Sequence, residues 1–415
     1  MRLLIVAPER IDLPLTGGSL RTGFIARGLA RRFETLVLVS QSSDELEQLL
    51  GTVPDFASAR WLSIHESKLQ PSRSFTNKVR SRYDRWKERR EMNAWQGSFR
   101  NWHIGPLRSW RFPLLEACES FQPDAVIIEH TRYASTLKYI KRMMPNCVRV
   151  INSHNVDSEL HRSVIDSPLQ EDKTKYFVEQ ALNHERHLGN LADALWACSE
   201  ADAQRYKNIG IRCAEIAAVP NGIDTEEVAF RSLRQTSVPR LLFIGTLCYE
   251  PNEQGLLWFY HNVWPLLKLK IPDLHWRIVG RYTSPAVEKV ANDDGIELFV
   301  DAPSTAPHLD ESSVFVCPLF FGSGTRLKLL EAFSAGIPVV STAIGAEGLN
   351  AQDGEHYLRA DDAEAFVRSV TEFLENSAVA DRIRNQARQF AMDRYDWESI
   401  VGDASKRLLT YVQAR

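Results

Sequence analysis

The sequence has no run of about 18 consecutive apolar residues, so no membrane-spanning helix is expected. Its opening, MRLLIVAPER, is too short an apolar run for a signal peptide and reads as a first buried strand. Six cysteines (Cys118, Cys147, Cys198, Cys213, Cys248, Cys317) are scattered without Cys-x-x-Cys spacing. Most lie in apolar runs where a thiol acts as a small hydrophobe, a usage that fits a reducing cytoplasm. No Asp-x-Asp motif is present, so no metal or other cofactor is expected. A large excess of either charge is also missing. The formal net charge of −3 gives no global pull toward nucleic acid.

What remains is an ordinary globular composition, 44% hydrophobic and 25% charged, in a chain of 415 residues. That length exceeds what one core usually supports, so two domains of roughly 200 residues with a cleft between them are the expectation. Two strand-glycine-helix units open the presumed halves: Leu3–Ala7 followed by Gly17-Gly18, and Arg240–Ile244 followed by Gly245-Thr246 and a helix near Asn252. Each resembles the start of a doubly wound sheet. Apolar runs at 35–39, 125–128, 148–152 and 194–197, then at 276–279, 297–300, 313–318 and 337–341, alternate with helical patterns in a parallel-sheet rhythm. The turn-rich Val219-Pro-Asn-Gly-Ile-Asp224 is the candidate hinge. The boundaries read as 1–222, 223–392, and a C-terminal amphipathic helix in 393–415 that needs an apolar surface, expected on the first domain.

Residues 68–111 break the rhythm. Bases outnumber acids, with Trp86, Trp95, Trp102 and Trp110 interleaved. Either this is a solvated helical insertion, or it is an interfacial patch facing anionic lipid or a phosphate-bearing acceptor.

The run from Gly322 to Val340 carries the most chemistry. A buried strand ends near Pro318, and the Gly/Ser loop frees the N–H groups of Ser323, Gly324 and Thr325. Thr325 can cap a helix whose N-terminal dipole favours a diphosphate. Lys328 and Glu331 follow Thr325 at spacings of three on one helix face, placing a carboxylate where a ribose hydroxyl could lie. Gly17 and Gly18, also between strand and helix, permit close backbone approach to phosphate. His154 follows a buried strand, and strand ends are where ligands gather in such sheets.

At these residues the sequence resembles glycosyltransferase family 4, retaining enzymes of the GT-B fold that use nucleotide-sugar donors. The landmarks are Thr16-Gly17-Gly18, Ser153-His154-Asn155-Val156, Ser199-Glu200-Ala201-Asp202, Val219–Asp224, Phe243–Asn252, Gly322–Val340 and Ser341–Gly348. The Gly-Thr-Arg-Leu-Lys-x-Leu-Glu form looks like a bacterial branch that builds surface polysaccharides. The resemblance implies two doubly wound Rossmann-like α/β domains facing across a cleft, and a sugar moved from a nucleotide sugar to a glycan or lipid-linked acceptor. It also implies a cytoplasmic protein, peripheral to the membrane if residues 68–111 face lipid. A GT-B nucleotide-sugar epimerase and a catalytically silent nucleotide-sugar-binding relative are the alternatives.

By the same resemblance Glu129 or His130 lines the acceptor side of the donor sugar. Gly245, Thr246, Tyr249 and Asn252 line the donor pocket, although Asn252 could equally cap its helix. Two departures stand out. Ser323 replaces the first of a pair of acids, leaving only Glu331. Thr246 and Glu250-Pro251-Asn252 stand where many members carry an Arg and a Lys on the diphosphate, so Arg326 or Lys328 is expected to supply the missing charge.

Overall fold

The computed structural model describes residues 1–8, 11, 17–66, 108–159, 162, 171–225, 228, 230, 238–302, 304–322 and 326–415. The described chain divides into two compact units. The first comprises Met1–Ser158, Lys175–Val219 and Val401–Arg415, and the body of the second is Pro220–Ile400.

The first unit is built on seven parallel strands: β1 (Arg2–Ala7), β2 (Glu34–Val39), β3 (Arg60–Ser63), β4 (Ala125–Glu129), β5 (Val148–Asn152), β6 (Ala194–Ala197) and β7 (Glu215–Ala218), in the order β3-β2-β1-β4-β5-β6-β7. Leu3, Leu4, Ile5 and Val6 are all fully buried, as expected of a parallel strand with helices on both faces. Those helices include α1 (Gly17–Ala30), α2 (Ser43–Thr52), α3 (Arg108–Phe121), α4 (Leu137–Met143), α5 (Glu171–Arg186) and α6 (Glu200–Ile209). Local signals set several ends. Ser42 and Glu45 form a capping box at α2, and Ser199 caps α6, which stops at left-handed Gly210.

The second unit repeats the plan with β8 (Arg240–Thr246), β9 (His275–Arg281), β10 (Ile296–Val300), β11 (Val314–Cys317), β12 (Val339–Ser341) and β13 (Leu358–Arg359), ordered β10-β9-β8-β11-β12-β13 and all parallel. Around it lie α7 (Glu250–Asn262), α8 (Trp264–Lys270), α9 (Pro285–Val290), α10 (Ala306–Asp310), α11 (Leu327–Ala335), α12 (Ala363–Glu375) and α13 (Ser377–Tyr395). Phe259 packs on Trp276 at 4.8 Å and edge-on to Phe366 at 5.5 Å between ring centroids, anchoring α7 and α12 to the sheet.

The last helix, α14 (Trp397–Gln413), buries Ile400, Val401, Ala404 and Leu408 along one stripe. From Val401 onward it groups with the first unit, where Arg407 and Tyr411 both donate to Glu215. Of the basic stretch, 68–107 lies outside the described residues. Trp110 does not face outward as an interfacial residue would: it is 2% exposed and belongs to the first unit's core.

In each sheet the strand order reverses once, between β1 and β4 and between β8 and β11. Connections diverge there, leaving a crevice at the carboxyl ends of the strands. Beside the second reversal Gly255 lets α7 approach the chain leaving β11: a Cβ at Gly255 would lie 2.3 Å from the Pro318 carbonyl oxygen. Gly255→Ala should therefore cost about 1–3 kcal/mol by forcing the helix outward. Urea unfolding of the purified variant checks this, and an unchanged midpoint would contradict the packing.

Candidate functional site

In the first unit, polar side chains converge beside the β1/β4 reversal. Glu129 ends β4 and is paired in register with Asn152 at the end of β5. Asn152 Nδ2 donates to both Glu129 oxygens at 3.1 and 2.9 Å, and its own Oδ1 accepts from Arg21 Nε and Nη2 at 3.1 and 2.5 Å. Thr22 donates to Glu129 Oε2 at 3.3 Å, and His154 Nε2 lies 2.6 Å from the same oxygen. Gly18, Arg21 and Thr22 share one face of α1 by their spacing of three and four. That single face thus meets His154, Asn152 and Glu129 in turn. The Cys198 thiol donates to the carbonyls of Ser153 and His154 at 3.2 and 3.3 Å, fixing the backbone that carries the histidine.

His130 stacks on His154 at 3.7 Å between centroids and has φ 66° and ψ 136°, a strained conformation for a residue with a side chain. Thr131 then donates to Asp157, and His184 Nε2 reaches the Thr131 carbonyl at 2.9 Å.

Burial alone would raise the Glu129 carboxyl. The hydrogen bonds from His154 and Asn152, with the Arg21 charge nearby, outweigh it and hold the group below the usual carboxylate range. His154 is pushed down to about 3 by burial and then by the facing His130, which is itself lowered to about 4 by burial. The cluster at neutral pH is one carboxylate, one guanidinium and two uncharged imidazoles.

The second unit has its own cluster at the β8/β11 reversal. Lys328, the second residue of α11, donates from Nζ to Asn252 Oδ1 at 2.7 Å and lies 4.4 Å above the Phe243 ring. Asn252 Nδ2 in turn donates to the Thr246 carbonyl at 2.8 Å. A Cβ at Gly245 would come within 3.0 Å of Lys328 Nζ, so that strand end is bare backbone where the ammonium rests. Burial lowers the Lys328 ammonium to about 8. Three residues on, Glu331 accepts from Thr305, and burial raises its carboxyl. Tyr249 and Tyr282 stand 41% and 57% exposed at the ends of β8 and β9, joined by the Cys248 N–H to Tyr282 carbonyl bond at 2.7 Å.

The structure thus draws Glu129, His130, His154 and Gly18 into one cluster, with Gly17 opening α1. It draws Gly245, Thr246, Asn252 and Lys328 into another. Ser323, Gly324 and Thr325 lie outside the described residues, and α11 begins at Leu327. Two assignments change. Asn252 is no cap, since Tyr249 holds the N-cap position of α7 and the Asn252 side chain reaches back to Thr246. Arg326, which precedes α11, turns onto the carbonyls of Gly322 and Ile344 at 2.9 and 3.5 Å, tying its loop to the segment after β12. Arg21, Thr22, Asn152 and Tyr282 were not anticipated. The Gly-Gly-x-x-Arg-Thr spacing at 17–22 was the available signal for the first two.

Residues 17–227, about half of the chain, match the family described as Glycosyltransferase Family 4. The chain belongs to this family. Residues 238–376 match the further family described as Glycosyl transferases group 1. Among curated relatives, an uncharacterized 44.6 kDa protein in the cps region of Klebsiella pneumoniae is 28% identical over 174 residues, 40% of this chain and 45% of that protein. The chain spans about half the length of the curated relatives it matches. Sucrose-phosphate synthase from Thermosynechococcus elongatus superposes with a TM-score of 0.69 at 12% identity, covering 100% of both chains. HepE from Anabaena, in complex with UDP and glucose, gives 0.67 at 14% identity over 99% of this chain and 100% of that one. The fold is therefore that of the GT-B glycosyltransferases. Among the described residues, no helix is long and apolar enough to cross a membrane.

Removing the Glu129 carboxylate strands His154 Nε2 and the Asn152 amide and takes a counter-charge away from the nearby buried Arg21. Glu129→Ala should cost about 3–5 kcal/mol near neutral pH. Because the folded-state pKa is depressed, this stabilisation is present above the ordinary carboxylate value and disappears as pH falls through the folded one. Denaturant titrations of wild type and variant should therefore converge as pH drops below the ordinary carboxylate range. A deficit independent of pH would show that shape, not charge, holds the cluster.

Proposed function

We propose that the protein transfers a sugar from a nucleotide-sugar donor, with retention, to a glycan or lipid-linked acceptor in surface-polysaccharide synthesis. The observation carrying this reading is Lys328. Among the described residues no carboxylate pairs with it, and its partners are an amide oxygen and an aromatic face. A partly buried cation of this kind, at the start of a helix and beside bare backbone at Gly245, suits a diphosphate whose negative charge grows as it leaves. Glu331, on the same face of α11, is read as the ribose contact. In the first unit the α1 terminus at Gly17-Gly18 is read as a second set of amides for phosphate, and Glu129, His130 and His154 as lining the sugar. Retention then follows from same-face attack assisted by the departing phosphate, with neither metal nor protein nucleophile required.

The HepE structures hold UDP, glucose and UDP-glucose, which supports a nucleotide sugar here. The Klebsiella relative's location in a cps region supports the polysaccharide role. A cytoplasmic setting is read from the scattered cysteines, and a membrane-peripheral one from the basic, tryptophan-bearing composition of 68–111, of which 68–107 lies outside the described residues. Incubating the purified protein with a panel of nucleotide sugars and an acceptor extract, and measuring nucleoside diphosphate release, tests the reading. Binding without release would favour the silent relative, and conversion of the free donor would favour the epimerase.

Two outcomes are specific to the site. Glu331→Gln should weaken nucleoside diphosphate binding by about 1–3 kcal/mol in calorimetry while leaving the unfolding midpoint in place. The Lys328 charge is present below about pH 8 and lost above it. Affinity for the diphosphate should thus fall as pH rises through that value, by up to roughly tenfold per pH unit. Lys328→Arg, permanently charged, should remove the bend. An identical bend in both proteins would assign it elsewhere.

A further inference from the structure

Two neighbouring residues near the end of α5 reach back to the chain that follows each of the stacked histidines. His184 Nε2 lies 2.9 Å from the Thr131 carbonyl, and Glu185 Oε1 accepts from the Ser158 N–H at 3.2 Å. Thr131 in turn donates to Asp157, the residue before Ser158. Hydrogen bonds and chain together close a ring that runs from Thr131 through Asp157, Ser158, Glu185 and His184 back to Thr131. Thr131 directly follows His130, whose backbone is held at φ 66° with its N–H on the Asn152 carbonyl at 2.9 Å. A strained residue of this kind persists only where its surroundings over-determine it. The bond to Asn152 restrains it on one side, and the ring restrains it on the other.

Glu185 is the member of the ring that local rules would not choose. The residue is fully buried, and the amide it meets belongs to a helical turn beginning at Asp157, whose first N–H groups have no intrahelical acceptor. Burial pushes the carboxyl up to about 8 against the hydrogen bonds of Ser158, and the Asp157 charge adds to the rise. At neutral pH the group is therefore uncharged, and its oxygen serves as an acceptor only.

We propose that Glu185 is a positioning residue for the sugar-lining pair His130 and His154, closing the ring that holds the strained His130 backbone in place against His154. This rests on the reading of those two histidines given above. Their rings stack at 3.7 Å between centroids, and that relation lasts only while the chain after each is fixed. Thr131 and Ser158 are the points at which α5 fixes it. Glu185, sealed from solvent, acts on the pair through the backbone.

The test compares Glu185→Gln, which keeps an uncharged acceptor for the Ser158 N–H, with Glu185→Leu, which fills the place and removes the acceptor. Nitrogen NMR of the histidine rings in the full chain reads the pair without any ligand: the His130 and His154 signals should match wild type in Glu185→Gln and move in Glu185→Leu. Signals unchanged in Glu185→Leu, or displaced alike in both, overturn the proposal. Nucleoside diphosphate release from UDP-glucose and GDP-mannose reads the consequence. For the donor that wild type uses, Glu185→Leu should lose roughly ten- to hundredfold in kcat/KM, while Glu185→Gln retains turnover and both keep their affinity for the nucleoside diphosphate alone. Thr131→Val opens the same ring at another bond, which keeps the test decisive should Glu185→Leu fail to fold. Its loss should be similar, and the double variant should be little worse than either single one. Losses that multiply, or weakened diphosphate binding, would make Glu185 a general support of the fold and leave the transferase reading standing. Turnover of neither donor by the wild type would overturn the donor reading, and the sugar-positioning role with it, even where NMR shows Glu185 holding the pair.

Discussion

A parallel sheet leaves little choice about where polar groups can gather. Its strands are sealed on both faces, all their carboxyl ends point the same way, and connecting helices close over them except where the strand order reverses. Both units of this protein obey that constraint, with reversals between β1 and β4 and between β8 and β11. At the first reversal the strand-end residues are Glu129 and Asn152, buried and hydrogen-bonded to each other. At the second, the Thr246 carbonyl is held by Asn252 beside an ammonium. Chemistry is sited by topology, and residue choice then fills the place that topology leaves open.

The two places are filled with opposite electrostatic logic. In the first unit a buried negative charge is fully provided for: Asn152 spans Arg21 and Glu129, Thr22 adds a donor, and His154 contributes its N–H. That provision is what keeps both histidines uncharged, since burial already disfavours their cations and no bare carboxylate remains to recover them. In the second unit the positive charge of Lys328 meets only an amide oxygen and a ring face among the described residues. A compensated cluster rigidifies, whereas a buried group left incompletely matched costs stability. The strained His130 backbone belongs with the rigid cluster, because a residue at φ 66° persists only where its surroundings over-determine it.

Legibility in the sequence followed sequence distance. Long apolar runs gave most central strands to within a residue or two, and Gly17-Gly18 marked the start of α1, whereas α11 begins at Leu327 with Arg326, not Thr325, at its N-cap. The strands that periodicity passed over are short or half-buried: Arg60–Ser63, Glu215–Ala218 and Leu358–Arg359 carry too few apolar residues to register as runs. The partners of Glu129 were invisible for a different reason. Arg21 meets Asn152 across 131 residues and Thr22 meets Glu129 across 107, so no local pattern connects them. Arg326 and Lys328 were indistinguishable as letters two apart. The chain turn before Leu327 separates them, sending Arg326 to carbonyls of its own loop and Lys328 to the end of β8.

That separation bears on how a lost cation can be replaced. The family's usual positive side chain follows the strand that is β8 here, where this chain has Thr246 and Asn252. Lys328 reaches the end of β8 from α11, and Asn252 is the residue that receives it. The exchange is costly for the empty protein. An ammonium in the first turn of a helix opposes the helix dipole, by about 0.3–1 kcal/mol at exposed positions, and burial depresses this one further. An aliphatic residue there would avoid both penalties at the cost of the Asn252 hydrogen bond and the contact with the Phe243 ring. An anion at the helix start relieves both at once, because it complements the dipole and restores the solvation that burial removed. A residue that costs stability when the site is empty and gains from a bound anion follows the logic of function, where local rules give way.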